Sequence, residues 1–379
     1  MRLKTFDWKI FIVLAISVAN FLASYYLNTN MIIDERTYAV QSYYFYRDRT
    51  LPEIYPLLSI LTVGPLTLFG VEKQAFLTVP FVATLLTVAL TYHLSKKQFG
   101  SKARGLLAST LVACNPVVIW LSAKHMTENL FALFLVLTFL MIIGKDVTYR
   151  QAFFAGTFSF LAYLCRYPGL LLFPVITIWL IQKKARLRVF LAYLFPVTFV
   201  VMYWAVNWFV FRRPLTTETY SFGTLLAKSG TINLNLSLPL LGNMAYKVTA
   251  AFILVFGYAA IFLLPQARKM KLANPVALFT IAYIVVHLGY YTLLSLSWSF
   301  AWSIDHVARY LVPISPLVMS LSSFTPRVHR FNYVLLLLLC FAGIVMGLYL
   351  TNYSNMHSQV PISWEDFIKD ISGLLERIQ

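Results

Sequence analysis

The chain has 379 residues, 59% of them hydrophobic and only 12% charged, with a formal net charge of +17. Apolar runs of membrane-span length recur from end to end, which excludes an ordinary soluble domain. The Lys and Arg residues gather in short clusters between those runs. That pattern orients a membrane protein and does not describe a nucleic-acid surface.

In chain order, residues 8–27 form an apolar run of about the ~20 residues needed to cross a bilayer. No small-residue cleavage pattern follows, so the run reads as a retained helix and not a signal peptide. Further spans are predicted near 74–95, 105–121, 128–144, 152–165, 169–182, 189–211, 245–264, 276–296, 307–323 and 331–350, about eleven in all. Basic clusters such as Lys96-Lys97, Lys183-Lys184 and Arg268-Lys269 fall in alternate loops, and the positive-inside rule places those loops and the N-terminus in the cytoplasm. The opposite face then carries Asp34, Glu35, Asp48, Glu53, Glu72, Glu128, Glu218, Asp305 and an acidic tail.

Residues 54–70 are apolar but short, and Pro56, Gly64 and Pro65 interrupt them. Counting them as a span would invert every later loop, so they are expected to lie in the outer interface. The Tyr-rich run 38–46 predicts a second interfacial helix, and together the two fill a first outer loop of about 28–73. The expected organisation is a transmembrane unit over 1–350 and a short outer-face amphipathic tail over 351–379. In the tail, Ser363 with Asp366 resembles a capping box, and Trp364, Phe367, Ile368, Ile371 and Leu375 make an apolar stripe. Cys114, Cys165 and Cys340 lie in or beside apolar spans and read as core residues with no disulfide.

Several ordered features then stand together. Asp34-Glu35 follows the first span; Leu51-Pro-Glu-Ile-Tyr-Pro-Leu-Leu58 lies in the same loop; Asn115-Pro116 sits in the third span. Ser122-Ala-Lys-His-Met-Thr-Glu-Asn-Leu-Phe131 and Arg309-Tyr310-Leu-Val-Pro313 complete the set. In order, spacing and membrane side this chain resembles a GT-C glycosyltransferase of the protein O-mannosyltransferase and lipid A aminoarabinose transferase type. The resemblance implies an all-α membrane bundle that moves a sugar from a polyprenyl or dolichyl phosphate donor to an acceptor hydroxyl, with inversion, on the non-cytoplasmic face. It also implies a prokaryotic plasma membrane location, a glycan, lipid or protein acceptor, and no nucleic-acid partner.

Asp34 matches the family's first-loop catalytic acid, the general base toward the acceptor hydroxyl, with Glu35 assisting or orienting it. Glu53 and Glu128 match acids that bind substrate or, in some relatives, a divalent metal. Metal binding stays open here, because Glu128 stands where an Asp is frequent and Ile54-Tyr55 breaks the usual run after the first-loop acid. No His/Cys cluster has zinc spacing. From the chemistry alone, a departing lipid phosphate needs cations; Arg309 is the first candidate, with Lys124, His125 and Tyr55 nearby in the outer loops. Arg166, before Tyr167-Pro168-Gly169, ranks lower.

Each assignment has a plainer competitor. The alternatives are a helix cap for Asp34 and for Glu53, a first-turn acid paired with Lys124 for Glu128, and a partner of Asp305 for Arg309. A transporter or flippase for a lipid-linked sugar is the rival class. Such proteins place charges at mid-membrane within paired repeats, whereas these spans are nearly free of acids and show no repeat.

Overall fold

The computed structural model describes residues 7–49, 56–144, 146–206, 246–260, 262–263, 274–298, 304–323, 329–356 and 362–376. It is helical almost throughout. Helix α1 spans Lys9–Leu27, α2 Ile33–Asp48, α3 Pro56–Phe69, α4 Lys73–Phe99, α5 Lys102–Ala113, α6 Pro116–Ser122, α7 Glu128–Ile142 and α8 Tyr149–Cys165. A 3-10 turn over Tyr167–Leu171 leads into α9, Leu172–Gln182, then α10, Leu187–Leu194, and α11, Val197–Ala205. Helix α12 is Tyr246–Phe256. Helix α13 is Pro275–Trp298, α14 Ile304–Leu311, α15 Ser315–Ser320, α16 His329–Met356 and α17 Trp364–Glu376. The outer segment 212–244, Glu53, Tyr55 and Trp302 lie outside the described residues, and nothing is described of the Asp305 side chain.

Among the described residues, four helices or helix pairs are long and apolar enough to cross a membrane: Lys9–Leu27, Lys73–Phe99, Leu187–Ala205 and Asn332–Tyr353. A fifth results if α5 and α6 form one span bent by 60°. The count of eleven expected from the sequence is therefore not reached on length, and the reason is local. Several expected spans are shorter helices: α7 has 15 residues, about 22 Å at 1.5 Å per residue, below the ~30 Å hydrocarbon core. The expected span over 105–121 breaks where Pro116 removes a backbone donor. Asn115 caps the second half there: its Oδ1 accepts from the N–H of Val117 at 3.0 Å and of Val118 at 3.2 Å. Its Nδ2 donates to the Val255 carbonyl at 2.9 Å and ties the corner to α12.

Helix α7 is apolar on all sides and is covered on all sides, packing on α8 and α4. Around it, α1 turns a polar stripe inward, with Ser17, Asn20 and Ser24 buried. Asn20 Nδ2 donates to the Ala113 carbonyl at 3.1 Å, a hydrogen bond between helices of the kind membrane bundles use. All three cysteines are buried free thiols.

The tail is docked, not free. Residues Asn30–Met31 and Ile362–Ser363 pair as two short antiparallel strands, Asn30 opposite Ser363 and Met31 opposite Ile362. The expected cap forms, with the Asp366 N–H 3.0 Å from Ser363 Oγ. Trp364, Phe367 and Ile371 bury their stripe against Met31, Tyr43 and Phe76. The C-terminal helix thus clasps the segment that carries Asp34.

Helix α16 approaches the α5–α6 corner through Gly343 and Gly347, one Gly-x-x-x-Gly pair that lets backbones touch. A Cβ at Gly343 would sit 2.2 Å from the Cys114 carbonyl oxygen, and one at Gly347 2.9 Å from that of Pro116. Gly343→Leu is expected to destabilise the protein by about 1–3 kcal/mol through overpacking. Thermal unfolding in detergent checks this, and an unchanged midpoint would contradict the close approach.

Candidate active site

Asp34 and Glu35 occupy the first turn of α2, where acids favour the positive end of the helix. Neighbouring residues on a helix point about 100° apart, and the two carboxylates enter different surroundings. Asp34 remains 38% exposed and Glu35 is fully buried. They do not form a dyad.

Glu35 is spent on holding the loop. Its Oε2 accepts from the Ile32 N–H at 3.3 Å, and its Oε1 from the His125 N–H at 2.9 Å. Lys124 Nζ lies 3.4 Å from Oε2, donates to the Asn30 carbonyl at 2.8 Å, and bonds Asn28 Oδ1. Burial pushes the Lys124 ammonium below its ordinary value, and the Glu35 charge works against that. His125 Nδ1 donates to the Phe76 carbonyl at 2.7 Å and Nε2 lies 3.0 Å from Ser42 Oγ. The residues expected to touch phosphate or acceptor, Lys124 and His125, are therefore enclosed and engaged in tying α2 to α4 and to the loop before α7. The plainer alternative from the sequence paired Lys124 with Glu128; the structure pairs it with Glu35.

Asp34 belongs to a separate quartet of charges. Arg309, in the last turn of α14, donates through Nη2 to Asp34 Oδ2 at 2.7 Å and through Nε to Glu128 Oε1 at 3.3 Å. Arg166 Nη1 stands 2.7 Å from the same Glu128 oxygen. Glu128 opens α7, Arg166 closes α8, and both arginines are buried. Two guanidiniums against two carboxylates make the quartet neutral. Asp34 is its exposed member, because the other three side chains are at most 5% accessible.

Local backbone explains how Arg166 arrives there. After Cys165 the chain turns through Tyr167–Leu171, and the Gly169 N–H closes back onto the Arg166 carbonyl at 2.9 Å. A Cβ at Gly169 would lie 2.4 Å from the Tyr163 nitrogen, so glycine alone lets this turn press on α8. The Arg166 guanidinium also stacks over the Tyr310 ring, 4.6 Å from its centre. The sequence ranked Arg166 low; the Tyr-Pro-Gly run after it was the available signal. Tyr38, one turn beyond Asp34, is buried beside the quartet, and burial holds its hydroxyl protonated well above the usual range.

The donor set is poor for a resident divalent cation. Arg309 engages both Asp34 and Glu128, and Arg166 engages Glu128 again, so an incoming cation would meet two positive charges at contact range. Glu53, the other acid considered for metal, lies outside the described residues.

This division predicts opposite phenotypes for neighbouring sites. Lys124→Met leaves a buried carboxylate unpaired and is expected to cost about 3–5 kcal/mol of stability; a midpoint equal to the wild type would mean the knot is not structural. His125 adds a pH signature. Burial pushes its imidazole down to about 4, against an ordinary ~6.5. Between those values the unfolded chain binds a proton that the folded one does not, so stability falls as pH drops from about 6.5 to 4. His125→Gln is expected to flatten that part of the unfolding profile.

Residues 52–210 match the family model described as dolichyl-phosphate-mannose-protein mannosyltransferase. No curated protein matches the sequence at a significant level. Among solved structures, the chain resembles ArnT from Cupriavidus metallidurans bound to undecaprenyl phosphate, with a TM-score of 0.57 and 13% identity over 86% of this chain and 62% of that one. The apo form of the same protein gives 0.53 at 15% identity, covering 86% of this chain and 63% of that one. The archaeal oligosaccharyltransferase AglB from Archaeoglobus fulgidus, in complex with an inhibitory peptide and a dolichol-phosphate, gives 0.51 at 13% identity over 94% of this chain and 57% of that one. The chain thus spans about three-fifths of the structures it matches. It shares the fold of these structures, its apolar helices mark a multi-pass membrane protein, and residues 52–210, less than half of the chain, match the family model.

Proposed function

We propose that the protein is a membrane glycosyltransferase that moves a sugar, mannose or a related hexose or pentose, from a polyprenyl or dolichyl phosphate to an acceptor hydroxyl. The observation that carries this reading is the quartet: one accessible carboxylate, Asp34, held against a buried arginine that shares Glu128 with a second arginine. The acceptor oxygen attacks the anomeric carbon as its proton passes to Asp34. The bond from that carbon to the phosphate oxygen breaks, and its electron pair leaves on the phosphate, whose charge grows from about −1 to −2. Arg309 and Arg166 meet that charge, and a guanidinium can grip two phosphate oxygens. A phosphate leaving group needs no separate general acid.

Arg309 gives the step its order. In the free protein it is hydrogen-bonded to the Asp34 carboxylate. As the phosphate gains charge it competes for the same guanidinium, which releases Asp34 to bind the proton. Inversion follows from a single displacement. The site faces the non-cytoplasmic side, with the N-terminus and the basic loops in the cytoplasm and the shorter apolar helices completing a bundle of about eleven spans. Glu35, Lys124 and His125 act as positioning residues for the Asp34 loop. Acceptors of the glycan, lipid or protein kind all fit this chemistry.

Purified protein incubated with a panel of radiolabelled polyprenyl-phosphate sugars tests the reading. The wild type is expected to hydrolyse or transfer at least one sugar. Asp34→Asn is expected to lower turnover about 10²–10⁴-fold while donor binding is retained. Wild-type turnover in that variant would remove Asp34 from the chemistry.

A further inference from the structure

A charged cavity lies at the other end of α8 from the quartet. It encloses about 580 Å³ and is lined by Lys183, Lys184, Arg186 and Arg188, with Asp146 as the lone carboxylate. Helix α8 starts at this cavity and runs 17 residues before Arg166, about 25 Å at 1.5 Å per residue. The two sites are therefore separate.

Four observations bear on its occupant. First, four cations against one acid leave three positive charges, and none of the four forms an ion pair among the described residues. The arginines of the quartet, by contrast, are matched with carboxylates. Second, Thr148, the N-cap of α8, and Arg186, the N-cap of α10, both line the cavity. Two helix N-termini thus open onto one space, and each favours negative charge. Third, Trp179 in the wall is only 4% exposed, yet its indole N–H has no hydrogen-bond partner among the described residues. Its nitrogen is closed to water as well, so the indole lines the cavity through its ring, where Lys183 Nζ stands 6.0 Å from the centre.

Fourth, the backbone places Lys184 against its preference. Helix α9 ends in a Schellman turn, with the Ala185 N–H on the Leu180 carbonyl at 3.0 Å and the Lys184 N–H on that of Ile181 at 2.9 Å. The left-handed residue of such a turn is usually glycine, but here Lys184 takes it with a φ of 52°. A side chain is disfavoured in that region and persists where it has a role.

We infer that this cavity binds a phosphate-bearing anion on the face opposite the active site. Two arginines, two lysines and two helix N-termini around one space match a multiply acceptor-bearing phosphate better than a lone carboxylate. The volume holds a phosphate with a headgroup attached. Leu180 and Val189 give the lining an apolar element, as an anionic lipid entering from a bilayer would need; a soluble phosphate would use the same cations.

Full-length protein in phosphatidylcholine nanodiscs tests this in two arms. One titrates phosphatidylglycerol and counts bound lipid by native mass spectrometry; the other titrates inorganic phosphate calorimetrically. Arg186→Gln/Arg188→Gln is expected to weaken binding about 10-fold or more. Loss in the first arm identifies a lipid headgroup, and loss in the second alone a soluble phosphate. Lys184→Gly guards against misfolding, since it relieves the backbone while removing a charge; it is expected to raise the unfolding midpoint and still weaken binding. Wild-type affinity in both arms for both variants would overturn the inference.

Discussion

One carboxylate oxygen, Glu128 Oε1, organises the candidate site. Two arginines from distant parts of the chain converge on it, and one of them reaches on to Asp34. Buried charges are tolerated only when matched and hydrogen-bonded, so the starts of α2 and α7, the end of α8 and the end of α14 must be held in register. Much of the remaining structure does that holding. The Glu35–Lys124 knot fixes the start of α2, the C-terminal strand and helix clasp the residues just before it, and Gly169 lets the turn after α8 close tightly enough to present Arg166.

The two ends of the α7–α8–α9 core are electrostatically unlike. At one end the positive charges are balanced, and only a reaction that builds negative charge has cause to rearrange them. At the other end the cations face a cavity with a single acid. The two proposals together place phosphate chemistry at both faces, which suits a membrane whose two leaflets differ in headgroup charge.

Much of this was legible in the sequence, and the gaps have definite causes. The apolar runs and the alternation of basic loops gave the helical membrane class, and Ser363 with Asp366 forms the cap read from the sequence. Adjacency misled at Asp34-Glu35: two letters side by side suggest a pair, but helical rotation sends them to different environments. Spacing misled at Lys124, whose four-residue distance to Glu128 suggested a partner, while a residue 89 positions away in sequence holds it. Arg166 was undervalued because its position depends on a turn against α8 that no periodicity reveals. Among the described residues the eleven expected spans are not all reached on length, because several of these helices are shorter than a bilayer core. Glu53 and Tyr55, expected in the site, lie outside the described residues.

The central claim is that Arg309 serves Asp34 in the free protein and the lipid phosphate in the complex. A cryo-electron microscopy structure of the protein in nanodiscs with undecaprenyl phosphate tests it most directly. The account predicts the phosphate within about 3 Å of the Arg309 guanidinium, with Arg166 adjacent and Asp34 turned toward open space. A phosphate bound elsewhere, with the Asp34–Arg309–Glu128–Arg166 quartet undisturbed, would contradict it.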